Sequence, residues 1–200
     1  MSRPSDETVT VNPRVREAFE QLRLFRDVFD ALFVRCLGPK LLPNHREALR
    51  AVGLDLDQPL KESYPLRVWV ESIRIGSRAH APTLPEDEAL KSLGRAFIDS
   101  YKETLGGKAA LAMMRLLGPK LALKQIGVSF KSGINKMETR LTNAANGSYE
   151  LWLSHAVSPS QFINAGILER ALELTGAKRV AVVVASHDGV AATYHIRFES

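Results

Sequence analysis

Ser186, His187 and Asp188 are the residue types of a hydrolytic triad, yet three consecutive residues on a strand and its turn cannot converge on one reacting atom. They read as the polar tip of a hairpin. His155 and His195 fall on predicted strands of one sheet and have the chemistry to hold a metal or haem. Neither has a placed carboxylate or cysteine beside it, and both read as structural histidines. Gly106-Gly107-Lys108 is followed by alanine, so a phosphate loop with its Lys-Ser/Thr pair is missing, and no His-Glu-x-x-His occurs. Cys36 is the one cysteine, which excludes an intrachain disulfide, and its place on an apolar helix face makes it core. The sequence therefore assigns no catalytic residue and no metal ligand, and it leaves any cofactor unknown.

Two other groups could bind rather than react. Trp69, Phe97 and Tyr101 lie on amphipathic helices and could line an apolar cavity. Between Gly107 and Arg140 there are seven bases and one acid, so this segment holds the whole of the chain's +5 excess and more. Lys120, Lys124, Lys131 and Lys136 are its candidate basic surface. An acidic partner, a phosphate-bearing ligand or nucleic acid would be drawn to it, but interleaved aromatics are lacking beyond Phe130 and nucleic acid is disfavoured.

The secondary structure that carries these residues can be read from periodicity and punctuation. Residues 1–11 read as a flexible arm in which Thr8–Val11 could add an edge strand. Residues 12–200 read as a single α+β domain, with a helical part over 12–126 and a ββαββ part over 137–198. Asn12 and Pro13 open a first helix whose apolar face drifts near Leu24–Arg26. Asn44 caps a short helix, Tyr64-Pro65 opens another, and Thr83-Leu84-Pro85-Glu86 reads as a capping box. The helix it opens stops at Gly106-Gly107. Ala109–Leu117 and Pro119–Ile126 come next as two short helices, and Gly127–Lys136 is a basic connection. Met137–Asn143 and Ser148–His155 are strands joined by a turn with Gly147 at its end. Ser158-Pro159-Ser160-Gln161 is a second capping box, opening a helix in which Phe162, Ile167, Ala171 and Leu174 should be buried on the sheet.

Arg179–His187 and Val190–Phe198 close the chain as a hairpin. Asp188-Gly189 predicts a two-residue turn, which sets Val182 opposite His195. One face then carries Ala181, Val183, Ala185, Ala192, Tyr194, Ile196 and Phe198. The other carries Val180, Val182, Val184, Ala191, Thr193, His195 and Arg197. Three valines on this second face demand a cover, and helices bearing Trp69, Phe97, Tyr101 and Met113 are available. A pocket using Trp69, Phe97, Tyr101, Val182, Val184, Thr193 and His195, or a symmetric dimer through the same face, is the resulting expectation.

Tyr64-Pro65 with Trp69, Leu93-Gly94-Arg95 with Tyr101 and Thr104, Leu117-Gly118-Pro119 and the closing helix-hairpin resemble the myxobacterial paralogous proteins of domain of unknown function 2378. The resemblance covers roughly Phe29 to Phe198 and implies no established activity. More distantly, Phe162–Glu169 leading into two strands resembles the vinyl-reductase-like domains, related in fold to haem-nitric-oxide-binding domains and trafficking-complex subunits. That implies an α+β sensor or adaptor holding a small hydrophobic ligand between helices and sheet, or dimerising. The cysteines some of those domains use for metal are missing here, and no proximal haem histidine carries over.

The expected whole is a helical N-terminal half packed on a four-stranded antiparallel sheet. No run approaches the ~20 apolar residues of a membrane span, and the polar N-terminus lacks a signal-peptide core, so the expected location is cytoplasmic. The expected role is a non-enzymatic ligand-binding or protein-interaction module in signalling or regulation, with a small hydrophobic ligand, a homodimer partner or another protein. An enzyme acting on a small hydrophobic substrate and a basic nucleic-acid binder are the rival classes.

Overall fold

A computed structural model describes residues 12–144 and 147–199, with backbone alone at 105 and 106. The expected arm and its Thr8–Val11 strand lie outside the described residues, as does part of the Asn143–Gly147 turn. Asn12 acts as expected: its side-chain oxygen accepts the Arg14 N–H at 3.0 Å, and Pro13 opens α1 (Pro13–Gln21). The apolar drift near Leu24 marks a true break. Arg23–Phe25 is a short strand, β1, after which α2 (Arg26–Phe29) begins and widens into a π-helical stretch over Asp30–Cys36. A 3-10 turn at Gly38–Lys40 leads to α3 (Pro43–Ala51), which starts before the expected Asn44 cap. There His45 Nδ1 takes the Leu42 N–H at 3.3 Å.

Strand β2 (Ser63–Pro65) pairs antiparallel with β1, Leu24 opposite Tyr64. This clasp brings the Phe29 ring 4.5 Å from that of Tyr64 and 5.6 Å, edge to face, from that of Trp69. Three longer helices come next: α4 (Leu66–His80), α5 (Glu86–Tyr101) and α6 (Leu105–Gly133). The capping box expected at Thr83–Glu86 does not form. Pro85 holds the N-cap position, and Glu86, Asp87 and Glu88 place negative charge on the first turn instead. Gly106-Gly107 begins a helix rather than ending one, because Thr104 Oγ1 accepts the Gly107 N–H at 2.9 Å. The two short helices expected after it are one long element kinked at Gly118, whose φ is +72°. Pro119 breaks nothing further, since its missing N–H falls where helical geometry is already interrupted.

The main sheet contains β3 (Thr139–Asn143), β4 (Tyr149–Leu153), β5 (Lys178–His187) and β6 (Ala192–Glu199) in the antiparallel order β3-β4-β6-β5. Between β4 and β5 runs α7 (Ser160–Leu174). It starts after Pro159 with no side-chain cap, so the second expected capping box is also absent. The architecture is the α+β fold expected, helices gathered on one face of a four-stranded sheet.

The register of the last hairpin is not the expected one. Asp188 Oδ1 accepts the N–H groups of both Val190 and Ala191, at 3.0 and 2.7 Å, which draws Asp188–Ala191 into a four-residue loop. A bulge between Val184 and Ser186 shifts the pairing again, and Val183 lies opposite His195. The slip exchanges the faces of β5. Val182, Ala192, Tyr194 and Ile196 share the covered face with Leu151 and Leu153, all at most 3% exposed. Val183 points outward at 60% exposure, on the open face with Thr193 and His195. Val182 is buried under the helical layer, and Val180 and Val184 are half-buried against the same core.

Helix α7 has three working faces. Ala165, Leu168 and Leu172 join the sheet residues in the core, all at most 3% exposed. Gly166 meets α5, and Arg95 reaches Glu169 at 2.6 Å and Glu173 at 2.9 Å beside it. Arg170 bridges Asp99 and Glu173, and Lys91 adds Glu169 at 2.7 Å. Against the pull of desolvation, the Arg95 and Arg170 guanidinium groups hold the Glu173 carboxyl below the usual range. The third face, Ser160, Asn164, Ile167, Ala171 and Leu174, is the one that concerns function. Ile167 and Leu174, expected on the sheet, are turned away from it.

Candidate functional site

That third face has the spacing i, i+4, i+7, i+11, i+14, so its side chains form one stripe. The stripe walls a cavity of about 460 Å³, within the range of small-molecule sites. Leu24 of β1, Val28 and Ala31 line it together with Leu66 and Trp69 of α4. Phe97, Ile98 and Tyr101 of α5 form a second wall, with Phe97 and Tyr101 stacked at 6.3 Å. The inner side of α6 supplies Ala110, Leu111, Met114, Ile126 and Phe130. The kink at Gly118 lets both arms of α6 contribute to one wall.

Few polar groups break this lining. Asn164 sits on the cavity stripe of α7 and also beside Tyr194. Burial pushes the Tyr194 phenol far above its ordinary pKa, with the Asn164 side chain pulling the other way. His155, in the turn after β4, is shifted down by burial, opposed by a hydrogen bond to the Lys136 backbone. Its Nδ1 is enclosed and has no partner, and the same holds for Ser160 Oγ. Asp27 and Lys102 are the charged side chains of the lining, and Lys102 Nζ is held by Asp99 at 2.9 Å.

Of the seven residues expected at a pocket, Trp69, Phe97 and Tyr101 come together here. Val182 and Val184 do not; on β5, Val182 is in the hydrophobic core and Val184 is half-buried against it. Thr193 and His195 lie on the open face of the sheet, His195 Nε2 standing 3.0 Å from Ser148 Oγ. His155 and His195 are therefore not neighbours in one site. Met113, expected as cover, is 47% exposed, and its neighbour Met114 turns inward. Phe130 was hidden in the stretch read as a connection; helical spacing from Ile126 would have placed it. Among the basic candidates, Lys120, Lys124 and Lys131 lie on α6, whereas Lys136 comes after it and binds Gln21 Oε1 at 3.1 Å.

The fold is similar to that of the H-NOX proteins. An H-NOX protein from S. oneidensis, solved in the Fe(II)NO ligation state, is 12% identical with a TM-score of 0.61, covering 86% of this chain and 98% of that one. A mutant of the K. algicida H-NOX protein, Fe(II) and unliganded, is 11% identical with a TM-score of 0.58, over 86% and 96%. A mutant of T. tengcongensis H-NOX is 14% identical with a TM-score of 0.56, over 87% and 94%. No curated protein matches the sequence. Residues 22–199 match the family described as "Protein of unknown function (DUF2378)", and the chain belongs to that family.

The H-NOX likeness raises the question of haem, whose iron takes an axial His, Cys, Met or Tyr. The lining contains one histidine, His155, tied by a ring hydrogen bond to the Lys136 backbone and with its Nδ1 enclosed without a partner. Tyr101, Met114 and Met137 are the other side chains of axial-ligand type in the lining. Helices α5 and α6 contain no histidine, and Cys36 is in the core elsewhere. Haem also brings two carboxylates, which would meet Asp27 and a lysine already held by Asp99. An acid and a lysine already paired do not suit haem's two carboxylates, and the lining matches a neutral apolar molecule better.

Proposed function

We propose that this chain is a non-enzymatic small-ligand module of signalling or regulation, whose cavity takes one neutral apolar molecule. The observation that carries the reading is the lining: Trp69, Phe97, Met114, Phe130 and Ile167 around about 460 Å³, with a handful of polar groups among them. An apolar ligand there would remove its own surface and that of the lining from water, at about 25 cal/mol per Å². The H-NOX likeness supports a sensor that reads occupancy of its cavity, although the ligand would differ.

The α5–α7 clamp supports the regulatory side. The same two helices wall the cavity and are locked by Arg95, Arg170, Glu169 and Glu173 outside it. A ligand that changes their spacing would be felt by this ion-pair network, which is a set of contacts able to differ between two states.

Native mass spectrometry of the chain incubated with neutral apolar molecules of graded size tests the proposal. One molecule bound per chain is the expected result. Failure of every such molecule to bind would contradict it.

A further inference from the structure

We propose that the outer face of α6 docks on an anionic membrane surface. Leu105–Gly133 holds five bases, Lys108, Arg115, Lys120, Lys124 and Lys131, and no acid. Beyond the kink, Lys120, Lys124 and Lys131 stand at i, i+4 and i+11, one exposed stripe. Leu121 and Val128, at i+1 and i+8, run alongside and are 49% and 55% exposed. Leu116, before the kink, is 90% exposed. Among the described residues, none of these three lysines has an ion-pair partner.

Large side chains this open, interleaved with cations, match a bilayer interface. Leucines enter the headgroup boundary while lysines stay at the level of the lipid phosphates. Nucleic acid would use the lysines but has no use for Leu116, Leu121 and Val128. Among the described residues no helix is long and apolar enough to cross a membrane, so the contact is one of lying on the surface. The inference concerns the outer side of α6 and stands whether or not the cavity binds a ligand.

Vesicle sedimentation of the full chain provides the test. Phosphatidylcholine vesicles containing phosphatidylglycerol should carry the protein down, and phosphatidylcholine alone should not. Binding should fall steeply between about 0.1 and 1 M salt, as the screening length shrinks from about 10 to 3 Å. The triple variant Lys120→Glu, Lys124→Glu, Lys131→Glu should lose about tenfold or more of the binding. The variant Leu116→Ser, Leu121→Ser should also bind several-fold less, and because both leucines are exposed it should keep the wild-type melting temperature. Equal sedimentation with neutral vesicles, or binding unchanged in both variants, would overturn the proposal. So would retention on duplex DNA that depends on the lysines and ignores the leucines while vesicles fail to bind.

Discussion

Gly94 of α5 and Gly166 of α7 stand where the two helices touch backbone to backbone. A Cβ on Gly94 would fall onto the Ile163 carbonyl oxygen, and one on Gly166 onto that of Lys91. Neither glycine is needed for its φ; each is needed for the approach. The closeness of this crossing sets α5 and α7 side by side, so that Phe97 and Ile167 line the same cavity. It also brings Arg95 within reach of Glu169 and Glu173.

Gly94→Ala and Gly166→Ala should therefore each destabilise the fold by about 3 kcal/mol, the upper part of the range for overpacking, because the clashing atoms are backbone. Urea unfolding at neutral pH measures this. Alanine gains helix propensity of up to about 1 kcal/mol over glycine, so a neutral or stabilising outcome would show that the helices are farther apart.

The register of β5 is tested by adjacent residues. Val182→Asp puts a carboxylate into the core beside Ile196 and should cost more than about 3 kcal/mol, whereas Val183→Asp on the open face should stay within about 0.5 kcal/mol. Thermal melts of the two variants decide it. The opposite ranking would restore the two-residue turn.

Much of the fold is readable from local signals. Asn12-Pro13, the two hairpins and the α7 periodicity each name an element, and the apolar drift at Leu24 foretells a break. The failures have physical causes. Asp188-Gly189 is the signal of a two-residue turn, but the Asp188 carboxylate captures two N–H groups and lengthens the loop. Gly106-Gly107 looks like a helix stop until Thr104 is seen to cap the start of α6. The aromatic half of the site, Trp69, Phe97 and Tyr101, was legible because large residues recur on helix faces. Its α7 wall was not, because two faces of α7 are largely apolar or small, and only the crossing with α5 decides which of them meets the cavity.

Asp188 also gives a pH dependence. Hydrogen bonds from the Ala191 backbone, then from Arg14 at 2.7 Å and the Val190 backbone, lower its pKa to about 2. A carboxyl whose folded pKa is depressed stabilises the fold above its ordinary value near 4 and loses that contribution as pH falls through about 2. Asp188→Ala should cost about 1 kcal/mol at pH 7, modest because the side chain is half exposed and screened. In urea titrations the gap to wild type should close between about pH 4 and pH 2. A gap that persists at pH 2 would mean the loop is held by something other than the carboxylate.

Filling the cavity is the sharpest challenge to its role as a ligand site. Ala110 lines it from α6 and is only partly buried, so Ala110→Phe should occupy ligand space while keeping the wild-type melting temperature. Titration with the neutral fluorophore aminoanthracene, excited by energy transfer from Trp69, should saturate at one site per chain in the wild type. In Ala110→Phe the affinity should drop about tenfold or more, equivalent to about 1.4 kcal/mol. A titration that never saturates, or one identical in the two proteins, would contradict the cavity as a ligand site.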